Sequence, residues 1–288
     1  MRRQPLRLAV LEATRILEDA GVESPRTDAE LLAAHVLGVE RTELPLVPLV
    51  DPQVVDALGQ LVTQRAKRIP LQHITGWAAI GAITVDVGPG VFVPRPETDL
   101  LLSWGLDLLS AREFPVVVDL CTGSGALALA VAHARPDAQV YAVDNDTTAL
   151  AWARRNADAR ASAGDNPIRL YSGDITDGRL FVELDGLVDL VLCNPPYVSR
   201  NKTLPPEVAD HDPGHAVFAD DGGLALIKSA VSLAARLLKP GGGVAIEHDD
   251  DHAQPVTTLL SQRKVLSEIA DHTDLAGRPR FVTARRTG

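Results

Sequence analysis

"VVVDLCTGSGALALA", residues 116–130, decides how the rest of the chain is read. A short apolar run ends in a loop with two glycines, and an alanine and leucine run follows, which is the order strand, glycine loop, helix. Gly123 and Gly125 let the backbone turn sharply and let a ligand come close, while the unpaired N–H groups at the helix start favour electron-rich ligand atoms. Gly123, Gly125 and Ala128 also meet the spacing of the dinucleotide fingerprint, so the loop alone does not name its ligand.

Downstream the same alternation repeats. "QVYAVD", "IRLYSGD", "LVDLVLC" and "VAIEH" read as strands, separated by the helical runs "TTALAWARRNADA" and "LALIKSAVSLAARLL" and the break "KPGGG". Such alternation predicts a mainly parallel sheet with helices on both faces. A helix near "QPVTTLLSQR" precedes "VLSEIAD" and "RFVTARR", which lie close together without a helix between them and predict a terminal antiparallel hairpin, for seven strands in all.

Upstream the pattern is helical. Leu6, Val10, Ala13, Leu17 and Ala20 recur at helical spacing before Gly21. Thr27 and Glu30 are spaced as a capping box for a second helix that ends at Gly38, and Asp51-Pro52 opens a third with Val55, Leu58 and Val62 inward. "AITVDVGPGVFVPRPET" then reads as a β-hairpin turning at "GPG". The expected organisation is a helical substrate-binding domain over residues 1–72, a hairpin linker over 73–97 and a catalytic domain over 98–288.

The 288 residues are 45% hydrophobic and 23% charged, ordinary globular composition for about two domains. A formal net charge of -10 argues against a protein that holds a long nucleic acid by neutralising phosphates. Acidic residues from Glu12 onward break any signal-peptide core, and no apolar run reaches the ~20 residues that span a bilayer. Two cysteines, Cys121 and Cys193, read as reduced thiols, and a cytoplasmic location and a monomer are expected.

Two acids bear on the ligand of the glycine loop. Asp119, on the strand end just before it, would repel a pyrophosphate and welcome a ligand carrying an ammonium and a sulfonium. Asp144 ends the next strand, where a carboxylate accepts both hydroxyls of a ribose. Together they favour S-adenosylmethionine, against the alternative that both are solvated strand ends. Asp174 and Ile175 follow the third strand, where an adenine would meet an acceptor and an apolar wall; a plain turn is the competing reading.

The fourth strand ends in "NPPY", residues 194–197. Pro195 and Pro196 freeze the chain and turn carbonyls outward. The Asn194 side-chain oxygen and the Pro195 carbonyl make two acceptors for one NH₂ group, and Tyr197 can lie against a planar substrate. Accepting both N–H bonds pushes electron density onto an amide nitrogen and aims it at a methyl donor, and alignment of this kind is worth ~7–11 kcal/mol. "EHDDDH", with His248, His252 and Asp249 to Asp251, offers metal-ligand types, but a solvated acidic loop is the better reading and no metal is expected.

"DLCTGSGALAL", "AVDND" and "NPPY" resemble the class I S-adenosylmethionine-dependent methyltransferases that act on planar nitrogen, a Rossmann-like α/β fold with a seven-stranded sheet. "RIPLQHITG", "VFVPRPETDLLL", "CNPPYVSR", "ADDGGLALI", "IEHDDDH" and "DLAGRPRFV" are similar to the HemK-type (PrmC) branch, which modifies the glutamine of the Gly-Gly-Gln motif in peptide-chain release factors. The resemblance implies that Cys121, Thr122, Gly123, Ser124 and Gly125 wrap the cofactor, that Asp144 binds its ribose, and that Asn194 to Tyr197 hold the glutamine amide. It also implies that Phe92 and Arg95 lie over the site, although an alternating hairpin would equally bury Phe92 in the core.

Departures from that family's pattern are Cys121 in place of a loop glycine, Ile80 where phenylalanine is common, Asp99 in "ETD", and Asp212-Pro213 for a glutamate-proline pair. Adenine in nucleic acid or a glutamine of a ribosomal protein are alternative substrates for the same chemistry. A nicotinamide-dependent oxidoreductase would share the glycine loop but leaves "NPPY" without a role, as would an inactive adaptor. The release factor partner, S-adenosylhomocysteine as product, and the absence of direct nucleic-acid binding follow from the preferred reading.

Overall fold

A computed structural model describes residues 3–288. Its contacts separate two compact units, one containing the residues up to Trp77 together with Leu204–His211, the other Ala78–Thr203 with Asp212–Gly288.

The first unit is built on α1 (Leu6–Asp19), α2 (Pro25–Leu37) and α3 (Pro52–Ala66). Leu6, Ala13 and Leu17 of α1, Leu32 and Ala33 of α2, and Leu58 and Val62 of α3 share its core. α2 starts three residues earlier than a Thr27 cap predicts, because Pro25 takes the first helical turn, where its missing N–H costs nothing. Glu30 therefore makes no capping box and instead accepts from Arg26 Nε at 2.9 Å and Arg41 Nε at 2.8 Å. The Asp51 carboxylate accepts no capping bond from α3 and pairs with Arg3. Within this unit the buried Arg65 bonds Asp28 at 2.7 Å and Glu207 at 2.8 Å, and Arg68 binds the same glutamate through both oxygens at 2.7 and 2.6 Å.

A hairpin of β1 (Trp77–Ile80) and β2 (Ile83–Asp86) belongs to the second unit from Ala78 on. The turn falls at Gly81-Ala82 and not at the "GPG" of residues 88–90: Gly81 has φ +55, and its N–H donates to Asp99 Oδ1 at 2.7 Å. The hairpin is also no free linker, since Ala78, Ile80, Ile83 and Val85, followed by Val87, Val91 and Val93, lie in the core of this unit. α4 (Thr98–Leu109) follows.

Seven strands form one sheet: β3 (Val116–Leu120), β4 (Gln139–Asp144), β5 (Arg169–Ser172), β6 (Val188–Cys193), β7 (Leu238–Glu247), β8 (Leu266–Thr273) and β9 (Pro279–Arg286). Their order is β5-β4-β3-β6-β7-β9-β8, parallel except for β9, which runs antiparallel to both neighbours. Alternate residues divide between two faces. Val117, Leu190 and Leu192 pack under α4 and α5 (Ala126–Ala134), while Val118, Leu120, Val191 and Cys193 pack under α7 (Ala225–Leu237) and α8 (Ala253–Ser261). Apolar residues on both faces explain why β6 reads as an apolar run broken only by Asp189, and it is buried along its whole length. α6 (Thr147–Ser162) connects β4 to β5. This is a Rossmann-like, doubly wound sheet with the terminal antiparallel hairpin the sequence predicts.

Among the described residues, no helix is long and apolar enough to cross a membrane.

Candidate active site

The strand order reverses at β3, which has β4 on one side and β6 on the other. A crevice opens beyond the carboxyl ends of such strands, and it brings the loop after β3 beside the corner after β6, although more than 70 residues separate them in the chain. The cavity there is lined by Phe92, Asp119, Cys121, Thr122, Gly123, Ser124, Asp144, Asp174, Ile175, Asn194 and Pro196 of the residues expected from the sequence. Arg95, Gly125, Pro195 and Tyr197 are not among its lining residues, although each adjoins one in the chain or in space.

Asp119 is 1% exposed. Its Oδ2 accepts from Thr122 Oγ1 at 2.6 Å and from the N–H of Ala128 at 3.2 Å, while its Oδ1 is buried without a partner. Burial pushes its pKa up to about 7 against these bonds. Asp144 is held by backbone amides, Gly123 N–H to Oδ2 at 2.9 Å and Asp146 N–H to Oδ1 at 3.0 Å, and its pKa is also raised by burial. Each oxygen keeps a second lone pair for a hydroxyl.

A Cβ at Gly123, whose φ is +56, would meet no protein atom within 4 Å, which is the room a bound group needs. Gly125, at φ +82, precedes the first residue of α5 and closes the turn. Cys121 sits at φ +58, so the side chain that replaces a glycine is tolerated in a left-handed backbone.

The Asp174 carboxylate serves a turn, accepting from the N–H and hydroxyl of Thr176 at 2.8 Å each, and still lines the cavity beside Ile175. Val91 and Val93 take the core positions, which leaves the half-buried Phe92 for the cavity wall. The Arg95 guanidinium lies 5.1 Å over the Phe92 ring and is paired with the buried carboxylate of Asp212. The Asp212-Pro213 departure thus supplies the partner of Arg95 and a wall residue.

Several residues here escaped the sequence reading. Asn156 of α6 donates to the carbonyls of Ser124 at 2.9 Å and Asp86 at 3.0 Å, clamping the glycine loop from behind. Asp146, which caps α6, accepts from His215 at 2.9 Å. Thr98 Oγ1 accepts from Asn194 Nδ2 at 3.2 Å and donates to Glu247 Oε2 at 2.8 Å, and the Tyr197 hydroxyl donates to Glu247 Oε1 at 2.8 Å. Tyr197 is therefore tethered by its hydroxyl, which fixes the plane of its ring. Only the "ETD" and "IEH" segments, noted for resemblance, carried any signal for Thr98 and Glu247.

Four carboxylates line the cavity, those of Asp119, Asp144, Asp146 and Asp174, and none of the lining residues is lysine or arginine. A pyrophosphate has no counter-charge there, whereas a ligand with cationic groups has several.

Residues 9–76 match the family model for the PrmC N-terminal domain and residues 83–211 that for the methyltransferase small domain. The release factor glutamine methyltransferase of Mycolicibacterium smegmatis is 50% identical over 284 residues, 98% of each chain. That of Mycobacterium tuberculosis is 46% identical over 98% of this chain and 92% of its own, and that of Streptomyces coelicolor 46% identical over 96% of each. The chain belongs to the release factor glutamine methyltransferase family. In this member the acids of "EHDDDH" are solvated only in part: Asp251 is exposed, but Asp249 is buried, Lys202 Nζ is bonded to it and lies 3.0 Å from Asp250, and His248 is turned to Asp271 at 3.0 Å and His252 to the Gly222 carbonyl at 2.8 Å.

Proposed function

We propose that this protein transfers a methyl group to the side-chain amide nitrogen of the glutamine in the Gly-Gly-Gln motif of release factors, in the cytoplasm. The observation that carries the reading is an acidic cavity joined to an Asn194 whose amide donor side is already occupied by Thr98. The near-full-length identity to proteins named for this activity supports it.

S-adenosylmethionine fits the residues present: the orphaned Oδ1 of Asp119 suits a cationic group, Asp144 the ribose hydroxyls, Asp174 and Ile175 the adenine, and the open space at Gly123 close approach of the backbone. When bound, it supplies an electrophilic methyl on a sulfonium. Asn194 Oδ1 and the Pro195 carbonyl accept the two N–H bonds of the substrate amide, which localises the lone pair on nitrogen and points it along the line of attack. That methyl would leave with the sulfur keeping the bond pair, and the substrate nitrogen held by Asn194 and Pro195 would give up one proton to solvent. The helical first unit is the natural candidate to hold the body of the release factor.

Intact-mass analysis of the source organism's release factors tests this. A gain of ~14 Da mapped to the Gly-Gly-Gln glutamine, absent with Asn194→Ala, is expected. No gain from folded, cofactor-binding protein would overturn it.

A further inference from the structure

We infer that Thr98 and Glu247 are positioning residues that set which way the Asn194 amide faces, an inference that rests on the proposed methylation of an amide nitrogen. An asparagine amide is nearly symmetric in shape, so its two orientations differ in chemistry and hardly at all in packing. One presents an oxygen to a substrate NH₂ and the other presents a donor that opposes it.

The chain of bonds removes this ambiguity. Glu247 is 1% exposed at the end of β7 and its oxygens are acceptors. The single proton of the Thr98 hydroxyl, itself 3% exposed, goes to Oε2 at 2.8 Å. Thr98 then has only lone pairs left, so the group facing it at 3.2 Å must be the Asn194 NH₂. Oδ1 is thereby directed away from Thr98, as an acceptor. The other oxygen of the same carboxylate holds Tyr197, so a single buried glutamate anchors both ends of the corner. Three separated stretches, the start of α4, the end of β6 and the end of β7, supply the relay, and no one of them determines the orientation alone.

Thr98→Val keeps the shape and removes the hydroxyl, while Thr98→Ser keeps the hydroxyl. With a Gly-Gly-Gln release factor as substrate, Thr98→Val is expected to lower kcat by ~10–100-fold with KM within about threefold, and Thr98→Ser to recover most of the loss. In asparagine-¹⁵N-labelled protein, with the Asn194 side-chain signal assigned through Asn194→Ala, Thr98→Val is expected to speed NH₂ exchange with solvent by at least ~10-fold, and Thr98→Ser to restore slow exchange. Unchanged exchange in Thr98→Val overturns the relay whether or not the parent protein methylates anything. An unchanged kcat in Thr98→Val, or a Thr98→Ser as impaired as Thr98→Val, overturns it as well. A parent protein that methylates no release factor while its Asn194 NH₂ responds to Thr98→Val supports the relay and sinks only the proposed substrate.

Discussion

The hydroxyl of Tyr197 lies 2.8 Å from Oε1 of Glu247, on a carboxylate that has almost no contact with water. Burial raises the pKa of both groups, and the charge of Glu247 raises that of Tyr197 further. Tyr197→Phe leaves a buried carboxylate oxygen without this donor, a loss of about 1–3 kcal/mol. The melting temperature is expected to fall by roughly 2–4 °C per kcal/mol. A Phe variant that melts with the parent would show that the bond contributes nothing.

Asp119 titrates where it matters for ligand binding. With a pKa of about 7 it carries a proton in much of the protein below neutrality, and a cationic ligand group needs it ionised. Affinity for S-adenosylmethionine is therefore expected to rise with pH up to about 7 and then level, by as much as ~10-fold per pH unit on the rising limb. Titration calorimetry between pH 5.5 and 8.5 checks this, and a flat profile contradicts it.

Asp119→Asn has opposite effects on binding and on stability. The pKa is raised on folding, so the contribution of Asp119 to stability is fully present below its ordinary carboxylate value and is lost as pH rises through about 7. At pH 8 the ligand-free Asn variant is expected to melt above the parent, while its cofactor affinity drops at least ~10-fold for want of a charge-assisted bond. Lower stability of the variant at pH 8 would refute the burial argument.

Glu207 in the helical unit predicts an acid limb. Burial opposes its ionisation, but the bonds from Arg68 and Arg65 win and hold its pKa down to about 2. Its folded value is depressed, so its stabilisation is present above about 4.5 and is lost as pH falls from there toward 2. The shift corresponds to about 3 kcal/mol at neutral pH, which solvent screening of this partly exposed group reduces to on the order of 1–2 kcal/mol. Urea unfolding followed from pH 7 to pH 3 should converge for the parent and Glu207→Gln, with the parent more stable at pH 7.

Cys121→Gly tests the loop side chain that is held at a positive φ. Left-handed backbone costs a side chain about 1–2 kcal/mol, and glycine gives back about 0.5–1 kcal/mol in chain entropy. The variant is expected to be more stable by up to ~1 kcal/mol and to bind cofactor no worse than the parent. Weaker cofactor binding would mean that the Cys121 side chain contacts the ligand.

The strand, glycine loop and helix around Asp119, the parallel alternation after it, and the rigid corner at Asn194 were legible in the sequence because each depends on neighbours within a few residues. Hydrophobic period, glycine positions and paired prolines are local properties, and they determined the fold class, the cavity loops and the chemistry sought from them. Boundaries set by competition were less legible: Pro25 displaced the Thr27 cap, and Asp99 drew the hairpin turn to Gly81 instead of the "GPG" that looked like it.

Tertiary structure alone decided the relations between distant stretches. Thr98, Asn194, Tyr197 and Glu247 carry no shared spacing, and their hydrogen bonds exist because β7 and β6 are sheet neighbours and α4 packs beside them. Asn156 became a clamp on the glycine loop for the same reason. Buried polar groups must find partners wherever the fold places them, and which partners those are depends on strand order, a quantity that no local pattern encodes.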